Sequence, residues 1–318
     1  MNSISNLPIQ SIRQSFGQTL DQLAKNNSNL YVVSMDLKSS LSLSDFATHY
    51  PKRFFECGIA EANAAGVAAG LAKSGKTVFL CSFACFSPAI NWAVIRQSIC
   101  YNNLDVKIVG SHAGLMTAEL GATHQSLEDI ALMTSLPNME VFAPLDAIET
   151  QKITSVLAKS RRPAYLRLVR PSTPIINTTR VTFTIGKSSV LKKGKDITVI
   201  GYGPILCQAF EAQSILQNQK PSISLEIINC SSIKPVDFST ILKSVKKTKR
   251  LICIEDHQQN GGLGQVIASN FLSSKIHPKF IHLATNNQFG RSAKDYQQLY
   301  NYYGISTNNL LTAIKKIL

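Results

Sequence analysis

Long apolar runs are missing from this sequence of 318 residues, in which no stretch reaches 18 consecutive apolar residues. A helix that crosses a membrane needs about that length. The opening residues, MNSISNLPIQ, have neither the basic start nor the apolar core of a secretory signal. The composition, 44% hydrophobic and 16% charged, is that of a globular chain long enough for two domains. We therefore expect a cytoplasmic protein.

Paired cysteines are also missing. The seven cysteines are an odd number, lie mostly in apolar segments and show neither a CxxC nor a His-x-Cys spacing. They are therefore predicted to be reduced core residues, with no metal site formed by cysteine. Their positions are 57, 81, 85, 100, 207, 230 and 253.

Acidic residues are few: 19 against 33 basic residues, which gives a formal net charge of +14. Such a balance would permit binding to nucleic acid or to anionic membranes. However, neither basic cluster, at residues 192–195 and 243–250, contains an interleaved aromatic residue. We interpret these clusters as a solvated face or a surface for an acidic protein partner, and we expect neither nucleic acid nor a membrane as a partner.

Strand and helix patterns alternate along the chain, which predicts an α/β protein with parallel sheets covered on both faces. Periodicity is lost around PSTPIINTTR, which follows Arg170 and is rich in turn-forming residues. We therefore predict two doubly wound parallel-sheet domains. They are residues 1–172 and 183–318, joined by a linker at 173–182.

A short aromatic strand followed by a helix of small residues surrounds Glu61. Gly58 suits the turn between them, and Glu61 then falls in the first helical turn, where the helix dipole favours an acid. Turns of this kind carry the ligand sites of α/β folds. On spacing alone, however, Glu61 could equally be an ordinary acid at the start of a core helix.

Further candidates follow the later strands. Phe83 and Phe86 stand three residues apart at a strand end and could enclose a flat ligand or simply pack in the core. His112 and His124 flank a Gly-containing connection, and neutral imidazole can both donate and accept a proton. Arg13 or Arg170 could bind phosphate in a fork geometry or form a surface ion pair.

Taken together, these residues resemble the pyrimidine-binding domain of transketolases. The match consists of YPKRF at 50–54, GIAE at 58–61, GVAAGLA at 66–72, SHAGL at 111–115 and GATHQSLED at 121–129. The resemblance implies that Glu61 hydrogen-bonds the aminopyrimidine ring of thiamine diphosphate in a pocket lined by Phe83 and Phe86. It places His124 at the reacting hydroxyl and carbonyl groups. It also implies a sugar-phosphate clamp, formed by Arg13, Ser39 or its neighbour Ser40, His112 and Arg170.

The Gly-Asp-Gly motif with which transketolases hold Mg²⁺ and the diphosphate is absent. The chain therefore resembles the C-terminal section of a split transketolase, followed by a C-terminal domain of transketolase type. The resemblance implies a separate diphosphate-binding chain that supplies the Mg²⁺ ligands, in a heterotetramer, and a phosphorylated sugar or a related carbonyl compound as substrate.

The second half contains Glu255-Asp256-His257 and a glycine-rich turn at 261–264. The glycines lack the dinucleotide-binding spacing. The resemblance gives this motif an architectural role, and we predict no metal ligand from this chain.

Two segments depart from the transketolase pattern. Polar family residues are replaced at Ile90, Ala93 and Val94, and Leu120 stands where the family has an aspartate that binds the 2-hydroxyl of an aldose. Two other functions therefore remain open: a subunit like the β chain of 2-oxo acid dehydrogenases, and a non-catalytic scaffold that keeps the fold.

Overall fold

The computed structural model describes residues 4–177 and 182–318, apart from the side chain of Ser5. In the first half, up to residue 177, the strands are β1 (Ile9–Ser11), β2 (Leu30–Ser34), β3 (Phe54–Glu56), β4 (Thr77–Phe83), β5 (Val106–Ser111), β6 (Glu140–Phe142), β7 (Ala164–Arg167) and β8 (Ser172–Pro174). The helices are α1 (Ile12–Asn26), α2 (Ser44–His49), α3 (Glu61–Lys73), α4 (Trp92–Val94, continued by a π-helical segment Ile95–Cys100), α5 (Asp129–Thr134) and α6 (Ala147–Leu157).

The second half, from residue 182, repeats the alternation. Its strands are β9 (Ser189–Lys192), β10 (Ile197–Gly201), β11 (Leu225–Asn229), β12 (Ser232–Lys234), β13 (Arg250–Gln258) and β14 (Lys279–Thr285). Its helices are α7 (Cys207–Leu216), α8 (Phe238–Thr248), α9 (Leu263–Leu272), α10 (Tyr296–Tyr302) and α11 (Thr307–Ile317).

The first half is organised around a seven-stranded sheet in the order β12-β6-β7-β5-β4-β2-β3, parallel except at β12. All seven residues of β4 are buried. A mostly apolar strand that is buried along its whole length is typical of a parallel strand covered on both faces. Because parallel strands share one carboxyl edge, the ends of β2, β4 and β5 and the start of α3 lie at the same edge of the sheet.

The second half contains a five-stranded sheet in the order β14-β13-β10-β11-β9, in which only the edge strand β9 is antiparallel. Helix α8 shows why such segments are helical. Asp237 caps its first turn by accepting a hydrogen bond from Thr240 N, and buried Ile241 and Val245 lie on one face. The predicted α/β class with two parallel sheets is confirmed, and the antiparallel edges are additions to it.

The segment between the halves is partly ordered by pairing. Strand β8 pairs antiparallel with β1, so that Ile9 faces Pro174 and Gln10 faces Thr173. The first two residues of the predicted linker thus lie in a strand, while residues 178–181 of the linker lie outside the described residues. The domain boundaries themselves stay a prediction.

All seven cysteines are free thiols. Five are buried, as predicted for core residues, whereas Cys57 and Cys85 are only half-buried. Burial raises the pKa of Cys207 and of Cys230 to about 12, which keeps both thiols protonated at neutral pH. In the described residues, no helix combines the length and the apolar character needed to cross a membrane.

Candidate active site at the carboxyl edge of the first sheet

Glu61 begins α3 and is 9% exposed. The amide of Asn91 donates to the main-chain carbonyl of Glu61 at 3.1 Å and so fixes the first turn of the helix. Within residues 4–177 and 182–318, no protein group hydrogen-bonds the carboxylate itself. The carboxylate oxygens are not among the fully buried atoms that lack a partner, so solvent or a ligand can reach them.

Four rings form a continuous wall at the same edge. Phe83, the last residue of β4, stacks on Phe86 with ring centroids 6.0 Å apart and planes at 19°. The ring of His112 lies 3.9 Å from that of Phe83, and the ring of His124 lies 5.4 Å from that of Phe86. The structure thus brings together all four aromatic candidates of the sequence analysis.

His112 follows β5 in a left-handed backbone conformation, with φ at 56°. The Thr117 hydroxyl donates to its carbonyl at 2.6 Å, and the Ser111 hydroxyl lies 3.0 Å from its Nδ1. Burial lowers the pKa of His112 from 6.5 to about 3, with help from the charges of Arg13 and Arg170. The imidazole is therefore neutral over the physiological range and can both donate and accept a hydrogen bond.

Arg13 and Arg170 lie side by side at a cavity of about 370 Å³. Arg13 Nε donates to the carbonyl of Arg170 at 3.0 Å, and its guanidinium also donates to the carbonyl of Ser40. Ser39 is exposed in the adjacent turn, so it is the main chain of Ser40 that contacts Arg13. Burial, followed by the charge of Arg170, lowers the pKa of Arg13, as expected for two cations held close together.

The same cavity contains a cation that sequence reasoning missed. Lys294, 124 positions after Arg170 in the chain, lines the cavity together with the two arginines. Glu119 also lines it and pairs with Arg170 at 2.7 Å, although the Glu119 side chain is 59% exposed. An anion that enters this cavity has to compete with the Glu119 carboxylate for Arg170.

Leu120 is 37% exposed and lies in a 3₁₀-helical stretch, Leu115–Leu120, that leads from the neighbourhood of His112 to His124. Inside this stretch Ala118 has φ 51° and ψ −98°, outside the regions that L-residues favour. We call residues 115–124 the substrate segment, because the resemblance places Leu120 and His124 against the substrate.

Several buried polar atoms near the ring wall lack a partner among the described residues. They are the hydroxyls of Ser34, Ser82 and Ser87 and the amide oxygen of Asn91. Ser34 and Ser82 belong to neighbouring strand ends, and Ser87 and Asn91 follow Phe86. Partner-free polar atoms in the chain segments that carry the stacked rings fit a flat heteroaromatic ligand with a polar edge.

The described residues contain one group of metal-ligating type, formed by Cys253, Glu255 and His282. The carboxylate of Glu255 already accepts hydrogen bonds from Leu263 N and Gly264 N, both at 2.9 Å, from Tyr202 at 3.0 Å and from His282 at 2.6 Å. Glu255 therefore caps α9, which agrees with an architectural role. The prediction of no metal ligand from this chain stays a prediction.

Two known domain families match the two halves of the chain. Residues 10–175 match the family model of the transketolase pyrimidine-binding domain, and residues 186–310 match that of the transketolase C-terminal domain. The chain therefore belongs to the transketolase family, as the sequence motifs predicted.

Similar proteins indicate which part of a transketolase this chain corresponds to. The chain is 40% identical to the transketolase C-terminal section of Methanocaldococcus jannaschii, over 95% of both chains. It is 34% identical to one of the subunits of the apulose-4-phosphate transketolase of Phocaeicola vulgatus, over 94% of both. A solved split-gene transketolase, an inactive β4 tetramer, superposes with a TM-score of 0.87 at 36% identity, covering 97% of this chain and 98% of that one. Within the family, the chain thus corresponds to the C-terminal section of split transketolases.

Proposed function

We propose that this chain is the C-terminal subunit of a two-chain, thiamine diphosphate-dependent transketolase that transfers a two-carbon ketol unit between sugar phosphates or related carbonyl compounds. The observation that carries the proposal is the combination of the partner-free carboxylate of Glu61 with the wall of four rings at one sheet edge. Membership of the transketolase family supports it.

Thiamine diphosphate supplies a carbon nucleophile that adds to carbonyl groups. In this chain Glu61 holds a proton at a nitrogen of the aminopyrimidine ring, and Phe83 and Phe86 exclude water from the faces of that ring. The partner chain supplies the diphosphate site and the Mg²⁺ ligands, since the motif that provides them is absent here. The predicted cytoplasmic location and the heterotetramer are part of the same proposal.

The two histidines have different tasks. His124 is half-buried at the open end of the ring wall, where it can hydrogen-bond the reacting hydroxyl and carbonyl oxygens and move a proton between them. His112 is neutral at physiological pH, so it positions the substrate through hydrogen bonds rather than through charge. Arg13 and Arg170 bind the distal phosphate, with Ser39 and Ser40 forming the adjacent turn, and the Glu119–Arg170 ion pair opens as the phosphate arrives.

The apolar side chain of Leu120 indicates which class of acceptor the enzyme prefers. Leucine cannot accept a hydrogen bond, so an aldose whose 2-hydroxyl loses water against it would leave a polar group unpaired, at a cost of about 1–3 kcal/mol. The apolar replacements at Ile90, Ala93 and Val94 act in the same direction. We propose an acceptor that lacks the 2-hydroxyl, or a specialised sugar, in preference to an ordinary aldose phosphate.

The test is reconstitution with the diphosphate-binding chain that co-purifies from the native host. We expect the isolated chain to bind thiamine diphosphate poorly and to be inactive, and the pair to bind it and to consume a ketose. Tight cofactor binding or turnover by the isolated chain would contradict the split-subunit proposal. Consumption of pyruvate instead of a ketose would support the 2-oxo acid dehydrogenase alternative, and binding without turnover would support the scaffold.

A further inference from the structure

The substrate segment is fixed at its start by a carboxylate of the second half. The main-chain N–H of Leu115 donates to both oxygens of Asp256, at 2.9 and 3.1 Å. Asp256 is itself fixed, because its carbonyl accepts a hydrogen bond from Arg167 at 2.8 Å and its buried carboxylate accepts one from the Tyr300 hydroxyl at 3.4 Å. A carboxylate that accepts a main-chain N–H through both oxygens holds that part of the chain in place.

The middle of the segment is held at the carbonyl of Ala118. The buried amide of Gln125 donates to the carbonyls of Ala118 and of Arg291, both at 3.0 Å, and so ties the segment to the loop before α10. Ala293 N also donates to the Ala118 carbonyl, at 3.4 Å. The second half thus reaches the segment from two separate elements, the end of β13 and the loop at 290–293.

Two glycines show how closely the loop at 290–293 approaches the substrate segment. A methyl group added at Gly290 would lie 1.9 Å from the side-chain oxygen of Gln125, and one added at Gly121 would lie 2.5 Å from the hydroxyl of Ser292. Both distances are shorter than any van der Waals contact. A side chain at Gly290 would therefore force Gln125 to shift, and one at Gly121 would force Ser292 to shift.

Ala118, whose carbonyl accepts these hydrogen bonds, is also the residue with the unfavourable backbone conformation. Backbone conformations such as that of Ala118 are unfavourable and persist only where surrounding contacts enforce them. The second half contributes to these contacts directly through Ala293 N and indirectly through the Arg291 carbonyl, which holds Gln125. The next residues along the chain are Glu119 and Leu120. Release of Ala118 would therefore move the side chains that face the substrate.

We propose that the second half sets the substrate preference of the enzyme, with Asp256 and Gly290 as positioning residues that fix the substrate segment and, through it, Leu120 and His124. The second half thus acts on substrate specificity in addition to its architectural role. This inference rests on the proposed function for its effect on specificity, whereas the mechanical hold on the segment can be measured without a substrate.

The test uses two variants and a matched control. Asp256→Asn weakens the bond to Leu115 N at nearly constant shape, and Gly290→Ala displaces Gln125 without touching Asp256. The control is Asn229→Ala, which removes another buried contact between the halves, from Asn229 Nδ2 to both carboxylate oxygens of Glu149 at 3.0 Å. Asn229 makes no hydrogen bond to the substrate segment among the described residues.

The first measurement is amide hydrogen exchange of residues 115–124 in the isolated full-length chain. We expect exchange about tenfold faster in both variants, corresponding to a loss of about 1.4 kcal/mol, and unchanged in the control. Unchanged exchange in both variants would overturn the proposed hold. If Asp256→Asn does not fold, Gly290→Ala alone decides the result.

The second measurement is the ratio of kcat/KM for a 2-hydroxylated and a 2-deoxy acceptor in the assembled pair. This ratio does not depend on how much enzyme is folded, so a merely structural defect leaves it constant. We expect a change of at least about threefold in both variants and none in the control. Faster exchange with a constant ratio would overturn the role in specificity. If the wild-type pair shows no ketol transfer, the proposed function fails, and exchange still decides the hold.

Discussion

The depressed pKa of His112 makes the stability of the first half depend on pH in a way that a single substitution can isolate. The folded protein binds a proton at this imidazole only near pH 3, whereas the unfolded chain binds one near pH 6.5. Acidification therefore favours the unfolded chain. The contribution of His112 is fully present above pH 6.5 and is lost as the pH falls from 6.5 towards 3.

The magnitude follows from these two pKa values. Between pH 7.5 and pH 5.0, proton binding to the unfolded chain alone should remove about 2 kcal/mol of the free energy of unfolding. His112→Asn should abolish this part of the loss, and asparagine tolerates the left-handed backbone at this position better than most residues. His277→Asn, which removes an exposed imidazole, is the matched control.

The assay is urea unfolding of the isolated chain at the two pH values, followed by the fluorescence of Trp92, the only tryptophan. Trp92 lies in the first half, where its indole donates to the Leu132 carbonyl at 3.1 Å, so it reports on the relevant unit. A loss of 2 kcal/mol corresponds to a midpoint shift of about 1 M urea. An equal loss in wild type and His112→Asn would refute the reasoning, because His112 would then have its ordinary pKa in the folded protein.

Three further predictions concern the assembled enzyme. Glu61→Gln should leave the fold and partner binding intact but lower kcat by about 10²-fold or more, because the shared proton is lost; full activity would show that another carboxylate acts. Leu120→Asp should shift the kcat/KM ratio towards 2-hydroxylated acceptors by up to about a hundredfold, and an unchanged ratio would mean that another group contacts that position. Lys294→Ala should raise KM for a phosphorylated acceptor by roughly two- to fivefold with little effect on kcat, since an exposed charge contributes at most about 1 kcal/mol. The control, Lys316→Ala, should change neither KM nor kcat.

Sequence reasoning worked best where a pattern is local. Strands β2 and β4 were predicted with the bounds that the structure has, because each is a short, mostly apolar segment rich in residues that favour strands. The approach of Phe83, Phe86, His112 and His124 was also predictable, since residues at the carboxyl ends of parallel strands converge.

Sequence reasoning failed where an element depends on a distant partner. The three-residue strands β8 and β12 have no periodicity of their own and are ordered by pairing with β1 and β6. Lys294 reaches the cavity from the second half, and its surroundings in the sequence give no sign of it. Nor could the sequence show that Ser40 contacts Arg13 through its carbonyl, because any residue offers a carbonyl.

The position of β12 constrains how chimeras of this protein could be built. Ser232 pairs with Phe142 and Lys234 with Val141, and Lys234 Nζ also donates to the carbonyls of Thr134 and Leu136 at 2.7 and 2.6 Å. A cut at residue 177 would therefore expose β6 as an open sheet edge prone to self-association. A chimera that takes its second half from a relative also takes β12, the edge strand of the first sheet, from that relative. The unit that is exchanged therefore extends beyond the predicted domain boundary.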